Sequence, residues 1–456
     1  MKHFVPRSAA VSVAALSLLN RSRAFSKLTF VVSVILFCAI SLVALQSASA
    51  VIIPTVPVGN VGNANDPATG SLYGGVGYAY NIGKYEVTVG QYTAFLNAVA
   101  ATDTYALYNT SMATDLNIAG IAQSGASGTY SYSVIGSPDH PVTYVSWGDA
   151  ARFSNWLHNG QPTGAQNAST TEDGAYPLNG AIADTALNAV SRNAGARWFI
   201  STENEWYKAA YHQPAAQGGD LDDYWLLPTR TNSTSYSDQP PGSGAPIRSN
   251  TANTDENDGL ANGYNDGFAV TRLTSQSSSQ NYLTDVGAYT SSTSPYGTFD
   301  QGGNVFEWNE TLIDGSFRGL RGGSWIHPSN YMKATVRFDF DHPTKEFSTI
   351  GFRVATVPEP STAVLAVMAC GLMWGLRKRF KEPFILLRNK QQNGPGRSRR
   401  QADLSPASEP SRAPGLRAKI TAFLFYRRPP SERKNFHHDI PILASRPDTR
   451  LRVHAI

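Results

Sequence analysis

Cysteine is almost missing from this 456-residue chain. The only two, Cys38 and Cys370, lie in apolar runs near opposite ends, so everything between them has none. That excludes a disulfide framework, a thiolate metal site and a cysteine nucleophile from the bulk of the protein. Histidine is also scarce there. His140, His158, His212, His327 and His342 stand alone, with no H-x-x-x-H or H-x-E-H pair to make a metal-binding helix face. No Walker loop, G-x-S-x-G element or H-E-x-x-H motif is present.

Cationic charge is lacking where it would matter for polyanions. The chain has a formal net charge of +4. The first 50 residues hold 5 basic and no acidic side chains, and residues 377–456 hold 19 basic and 6 acidic. Residues 51–376 therefore keep 14 basic against 28 acidic side chains, a net of −14. An acidic body disfavours nucleic acid and anionic lipid as partners. It is long enough to bury a large core without cross-links.

The two ends carry addresses. A basic segment to Lys27, an 18-residue apolar run from Leu28 to Leu45, and the small-x-small triplet Ala48-Ser49-Ala50 read as a signal peptide over 1–50, cut after Ala50. Its length also suits an uncleaved anchor. Near the other end stand Pro358-Glu359-Pro360, an apolar run from Thr362 to Leu376, and Arg377-Lys378-Arg379. Fifteen residues make about 22 Å of helix, short for a bilayer core of about 30 Å, and the basic stop places the tail in the cytoplasm. This arrangement over 358–379 resembles the PEP-CTERM anchor of Gram-negative bacteria. The resemblance implies an exosortase-type sorting protease as partner and a cell-surface or envelope location. Residues 380–456 are Arg- and Pro-rich without a core pattern and read as a disordered basic tail. PEP-CTERM proteins end sooner, so the tail is either a cytoplasmic extension or the product of a misread stop or frame.

Between the addresses, residues 51–74 read as an extended lead-in and 75–357 as the folded domain. Three helix starts are legible. Thr88 with Gln91 forms a capping box ahead of Tyr92, Phe95, Leu96 and Val99. Ser146 to Asp149 opens a second helix and Thr202 to Glu205 a third. The rest reads as short strands and loops, with strands expected at 78–82, 142–145, 197–200, 317–321 and 350–354. Residues 213–300 are polar and lack periodicity, a length of loop that is normally functional, ion-stabilised or disordered.

Six segments then line up with one family: Ile82-Gly83-Lys84-Tyr85-Glu86, Pro141 to Trp147, Glu203-Asn204-Glu205-Trp206, Gly302 to Trp308, Arg321-Gly322-Gly323-Ser324-Trp325 and Gly351-Phe352-Arg353-Val354. In order and spacing they resemble the sulfatase-modifying-factor family, founded on the formylglycine-generating enzymes. The resemblance implies an α+β fold, a variant of the C-type lectin fold with little regular structure, here with hydrophobic helices at both ends. Gly302-Gly303 suits a turn with positive φ. Trp308, Trp325 and Phe352 read as core anchors. Arg321 and Arg353 are expected to pair with buried carboxylates such as Glu86 or Glu205.

The resemblance also implies sites. The founding enzymes hold copper on two cysteines five residues apart. His327 and Met332 occupy the matching positions, a far weaker pair for Cu(I) than two thiolates, so the oxidase chemistry reads as lost. Two calcium sets carry over: Asn253, Thr254, Asp266 and Phe268, and Asp300, Gly303, Val305 and Glu307. The favoured expectation is a non-catalytic surface module that binds exopolysaccharide or an envelope protein. A structural matrix protein and a divergent metal-dependent oxidase are the alternatives.

Overall fold

The computed structural model describes residues 50–338 and 341–357. The signal-peptide run with Ala48, the sorting residues Pro358, Glu359, Pro360, Arg377, Lys378 and Arg379, and the basic tail lie outside the described residues.

All three helix starts form as their sequences dictate. α1 (Val89–Val99) is capped by Thr88, whose hydroxyl accepts from the Gln91 amide while the Gln91 side chain accepts from the Thr88 amide. Its Tyr92, Phe95, Leu96 and Val99 are all buried. α2 (Ser111–Thr114) is one short turn. α3 (Trp147–His158) begins at Ser146, with Asp149 closing the capping box. Every residue of α3 up to Leu157 is buried, so it is the central element. Its interior Asn155 is satisfied by the carbonyls of Thr171 and Tyr176 at 2.7 and 2.8 Å. α4 (Asp184–Asn188) is short, and α5 (Glu203–Tyr211) carries the third capping box.

Two small sheets organise the site. β1 (Thr55–Val58), β2 (Tyr80–Gly83), β13 (Val354–Thr356) and β5 (Trp198–Ile200) form an antiparallel sheet in the order β1-β2-β13-β5. The expected lead-in thus supplies an edge strand. β11 (Phe317–Arg321), β10 (Phe306–Ile313) and β12 (Ile350–Phe352) form the second, with β10 antiparallel to β11 and parallel to β12. The expected strand over 350–354 is in fact two. Arg353 interrupts it, and the chain passes from one sheet to the other through that residue.

The expected strand over 142–145 does not form. Tyr144 has φ 56°, and the amides of Val142 and Tyr144 bond to Val87 and Phe347 carbonyls instead of a ladder. β3 (Ile121–Ser124) and β4 (Ser131–Val134) make a separate hairpin. Within the polar stretch lie β6 (Tyr236–Ser237), β7 (Thr251–Ala252), β8 (Asp255–Asn257) and β9 (Asp266–Phe268). Side chains hold these pieces together: the Ser237 hydroxyl lies 2.6 Å from the Thr254 carbonyl and 2.8 Å from that of Gly267. Hydrogen bonds rather than an apolar face organise this region, which is why it shows no periodicity.

The core fills the space between the helices and the sheets. Phe153 packs edge-on against Phe352 and Phe95, and Trp308 is fully buried with its indole N–H on the Val145 carbonyl at 2.9 Å. Each such side chain contributes about 1.5–3 kcal/mol by leaving water. Trp325 stacks on Tyr282 in a smaller second cluster. The three anchors read from the sequence are core residues.

Candidate functional site

The strand register fixes the first cluster. Glu307 lies opposite Arg321 on β11 and opposite Gly351 on β12, one residue before the chain turns out at Phe352–Arg353. The Arg353 side chain therefore reaches back to Glu307. Its Nε and Nη2 donate to the two carboxylate oxygens at 2.5 and 2.6 Å. Nη1 donates to the Gly83 carbonyl at 3.0 Å and Nη2 to that of Phe299 at 2.9 Å. The Trp206 indole adds a donor to Glu307 at 2.8 Å. Both charged residues are fully buried.

Two more carboxyls crowd this pair. Glu86 lies 3.8 Å from Arg353. Burial and the nearby Asp300 carboxylate push the Glu86 pKa well above the usual range. One of its oxygens has no hydrogen-bond partner among the described residues. Asp300 accepts from the Gly287 amide at 2.6 Å, and burial pushes its pKa up to about 6. One guanidinium thus faces three carboxyls, and the two that are not its bidentate partner hold their protons more tightly.

Arg321 behaves alike but with another partner. It binds Glu203 at 2.8 Å, whereas Glu205 closes the α5 capping box and lies 3.4 Å from Arg192. The partner of Arg321 is therefore Glu203 rather than the expected Glu205. Glu203 stands at the first position of α5 and meets Arg321 at the end of β11.

The expected calcium sets meet protein donors. In the second, both oxygens of Glu307 are held by Arg353, and one Asp300 oxygen is held by Gly287. The turn is otherwise as expected: Gly303 has φ 83°, and a Cβ there would stand 2.5 Å from the Asn253 carbonyl oxygen. Val305 is buried in the Trp325 cluster. In the first, the Thr254 carbonyl accepts from Ser237 and Ala269, and that of Phe268 from Thr271 and Arg272. Asp266 pairs with Asn257 at the far end of the β8–β9 ladder, and its carboxylate accepts the amides of Asn262 and Gly263 at 3.4 and 3.0 Å. The Asn253 amide donates to Tyr282 and Asn304. No group of three or more His, Cys, Asp or Glu side chains among the described residues is arranged to hold a metal. As placed, Glu307 has no carboxylate oxygen free of Arg353.

The two positions expected to match the copper cysteines have separate surroundings. Met332, on a 3₁₀ turn from Ser329, is fully buried with Leu227 and Ala252. Its methyl lies where a Cβ on Gly302 would fall. His327 shares a hydrogen bond with the Ser324 hydroxyl at 2.7 Å and packs on Phe306 and Tyr331. Burial lowers its pKa, so the ring is neutral near pH 7. Ser324 is fully buried and cannot present its hydroxyl to a substrate.

A further cavity went unread in the sequence. Asp149, Arg152 and Glu346 line it with Tyr105, Ile182 and Leu187. Asp149 was legible only as a capping residue, and nothing in the sequence links it to Glu346.

Small mixed sheets, few helices and long hydrogen-bonded loops define the class. A family model described as "Sulfatase-modifying factor enzyme 1-like domain" matches residues 60–357. The chain belongs to this sulfatase-modifying-factor family. Among solved structures it is similar to CarF, at 20% identity over 68% of this chain and 99% of that one, with a TM-score of 0.36. It is also similar to Treponema denticola variable protein 1, at 18% identity over 69% and 98%, with a TM-score of 0.34. PvdO from Pseudomonas aeruginosa gives 17% identity over 67% and 91%, with a TM-score of 0.34. None of the curated proteins matches.

Proposed function

We propose that this protein is an exported, cell-surface member of its family whose domain binds an envelope or exopolysaccharide ligand without catalysing the family's oxidation. The carrying observation is the pair His327 and Met332 where the resemblance places two copper-binding cysteines. The thioether of Met332 is packed in the core, and no cysteine lies between Cys38 and Cys370 to replace the lost thiolates. The signal-peptide pattern and the Pro358-Glu359-Pro360 anchor support delivery to the envelope, where polysaccharide is the abundant ligand. The net acidic body favours a neutral or cationic glycan over a polyanionic one.

Two measurements test this. Copper-loaded protein, supplied with oxygen and a cysteine peptide, is expected to leave the peptide mass unchanged; conversion of cysteine to formylglycine would overturn the non-catalytic reading. The same protein is expected to bind the producer's exopolysaccharide saturably, with calcium and equally with chelator. No binding in either condition, with the fold intact, would overturn the glycan reading.

A further inference from the structure

The cavity beside the start of α3 has a volume of about 210 Å³. That is far above the ~10–15 Å³ needed by a single water. It is below the ~300–1,000 Å³ of drug-sized pockets, so it suits a small ligand. Four segments distant in sequence build it: 104–106, the α3 start, 182–187 and 344–346.

Its polar lining is incompletely used. Asp149 is only 3% exposed, and one of its oxygens serves the Ser146 amide and hydroxyl at 2.8 and 2.6 Å. The other accepts nothing among the described residues. Glu346 gives one oxygen to the Asn109 amide at 2.5 Å, and its second is likewise free. Arg152 is 2% exposed. Its Nε and Nη2 bind Glu172 at 2.8 and 3.1 Å, and Nη2 also binds the Ala181 carbonyl at 2.9 Å. Its Nη1 has no acceptor among the described residues. The guanidinium sits over the Tyr105 ring at 4.5 Å.

The charge balance selects the ligand. Arg152 pairs with Glu172 and its charge also acts on Asp149, yet three carboxyls, Asp149, Glu172 and Glu346, stand against this one guanidinium. Of the other charged groups nearby, Asp103 is spent on the amides of Leu107 and Tyr108, and Asp184 on the Thr344 hydroxyl. The missing group is a cation with several N–H donors. The free Nη1 donor calls for an oxygen acceptor on the same ligand, and Ile182 and Leu187 offer an apolar wall for its carbon frame.

We propose that this cavity binds a small primary ammonium ligand on a hydroxylated frame, of the amino-sugar class, with the ammonium on Asp149 and Glu346 and a hydroxyl on Arg152. Burial and the Asp149 charge already push the Glu346 pKa up to about 8, so near pH 7 it holds a proton that an arriving ammonium would expel. This site stands apart from the oxidase positions and from the exopolysaccharide reading, and either can fail without the other.

The test is calorimetric titration of the full chain at pH 7 with glucosamine, glucose and N-acetylglucosamine, in two buffers of different ionisation heat. Glucosamine is expected to bind at least tenfold more tightly than the two neutral sugars, with proton release on binding. Glu346→Gln is expected to lose at least tenfold and to abolish the proton release. Ile182→Trp, at a rim position 63% exposed, is expected to block binding while leaving the melting temperature unchanged. Equal binding of all three sugars, no heat with glucosamine, or undiminished binding in both variants would overturn the proposal.

Discussion

Glu307 and Arg353 meet in a two-bond ion pair inside the protein, at 2.5 and 2.6 Å, with neither residue exposed to solvent. Such a pair is costly to break from one side, because the survivor is left charged and dry. Glu307→Ala and Arg353→Ala are each expected to destabilise the domain by about 3–5 kcal/mol. Replacing both with apolar residues of similar volume should cost clearly less than the sum. Urea unfolding of the three variants checks this, and additive losses would show that the pair does not act as a unit.

Gly303 occupies a left-handed backbone position against the Asn253 carbonyl. Gly303→Ala pays roughly 1–3 kcal/mol for the conformation alone, and the close oxygen adds to it. A melting temperature equal to that of the parent would contradict the tight turn.

Met332 and His327 should respond differently to truncation. Met332→Ala opens a hole in the packing of Leu227 and Ala252 and is expected to cost about 2–5 kcal/mol. His327→Ala removes a half-buried ring and one hydrogen bond and is expected to cost less. Chemical denaturation measures both, and the reverse order would mean that the histidine is the structural anchor.

Glu346 gives the domain a pH signature. Its pKa is raised to about 8 in the fold from 4.5 when unconstrained. The folded state therefore binds a proton that the unfolded chain has released, and the resulting stability is complete below about pH 4.5. It is lost as pH rises through 8. The Glu346→Gln variant is expected to flatten that decline between pH 5 and 8 in thermal melts; an unchanged slope would assign the decline to other groups.

The capping boxes at Thr88, Ser146 and Thr202 were readable because each is local, spanning four residues. Motif spacing likewise placed Trp308, Trp325 and Phe352 in the core. What escaped the sequence was set at long range. The backbone of Tyr144 adopts positive φ although the β-branched and aromatic run around it favours a strand. The run from Ile350 to Val354 looks continuous, yet its two halves pair with different sheets. Glu346 and Asp149 are almost two hundred positions apart and share no periodic signal, so their common cavity follows only from the three-dimensional fold.

The strand after Arg353 has a consequence for how the protein is made. β13 fills the central gap between β2 and β5, so the four-stranded sheet has no middle until Thr356 has emerged. A nascent chain leading with its N-terminus can pair β1 with β2, but β5 has no strand partner until β13 emerges. Completion of the sheet is a late event. Truncation a few residues before Thr356 would leave the chain unable to finish folding, however much of its sequence had been translated.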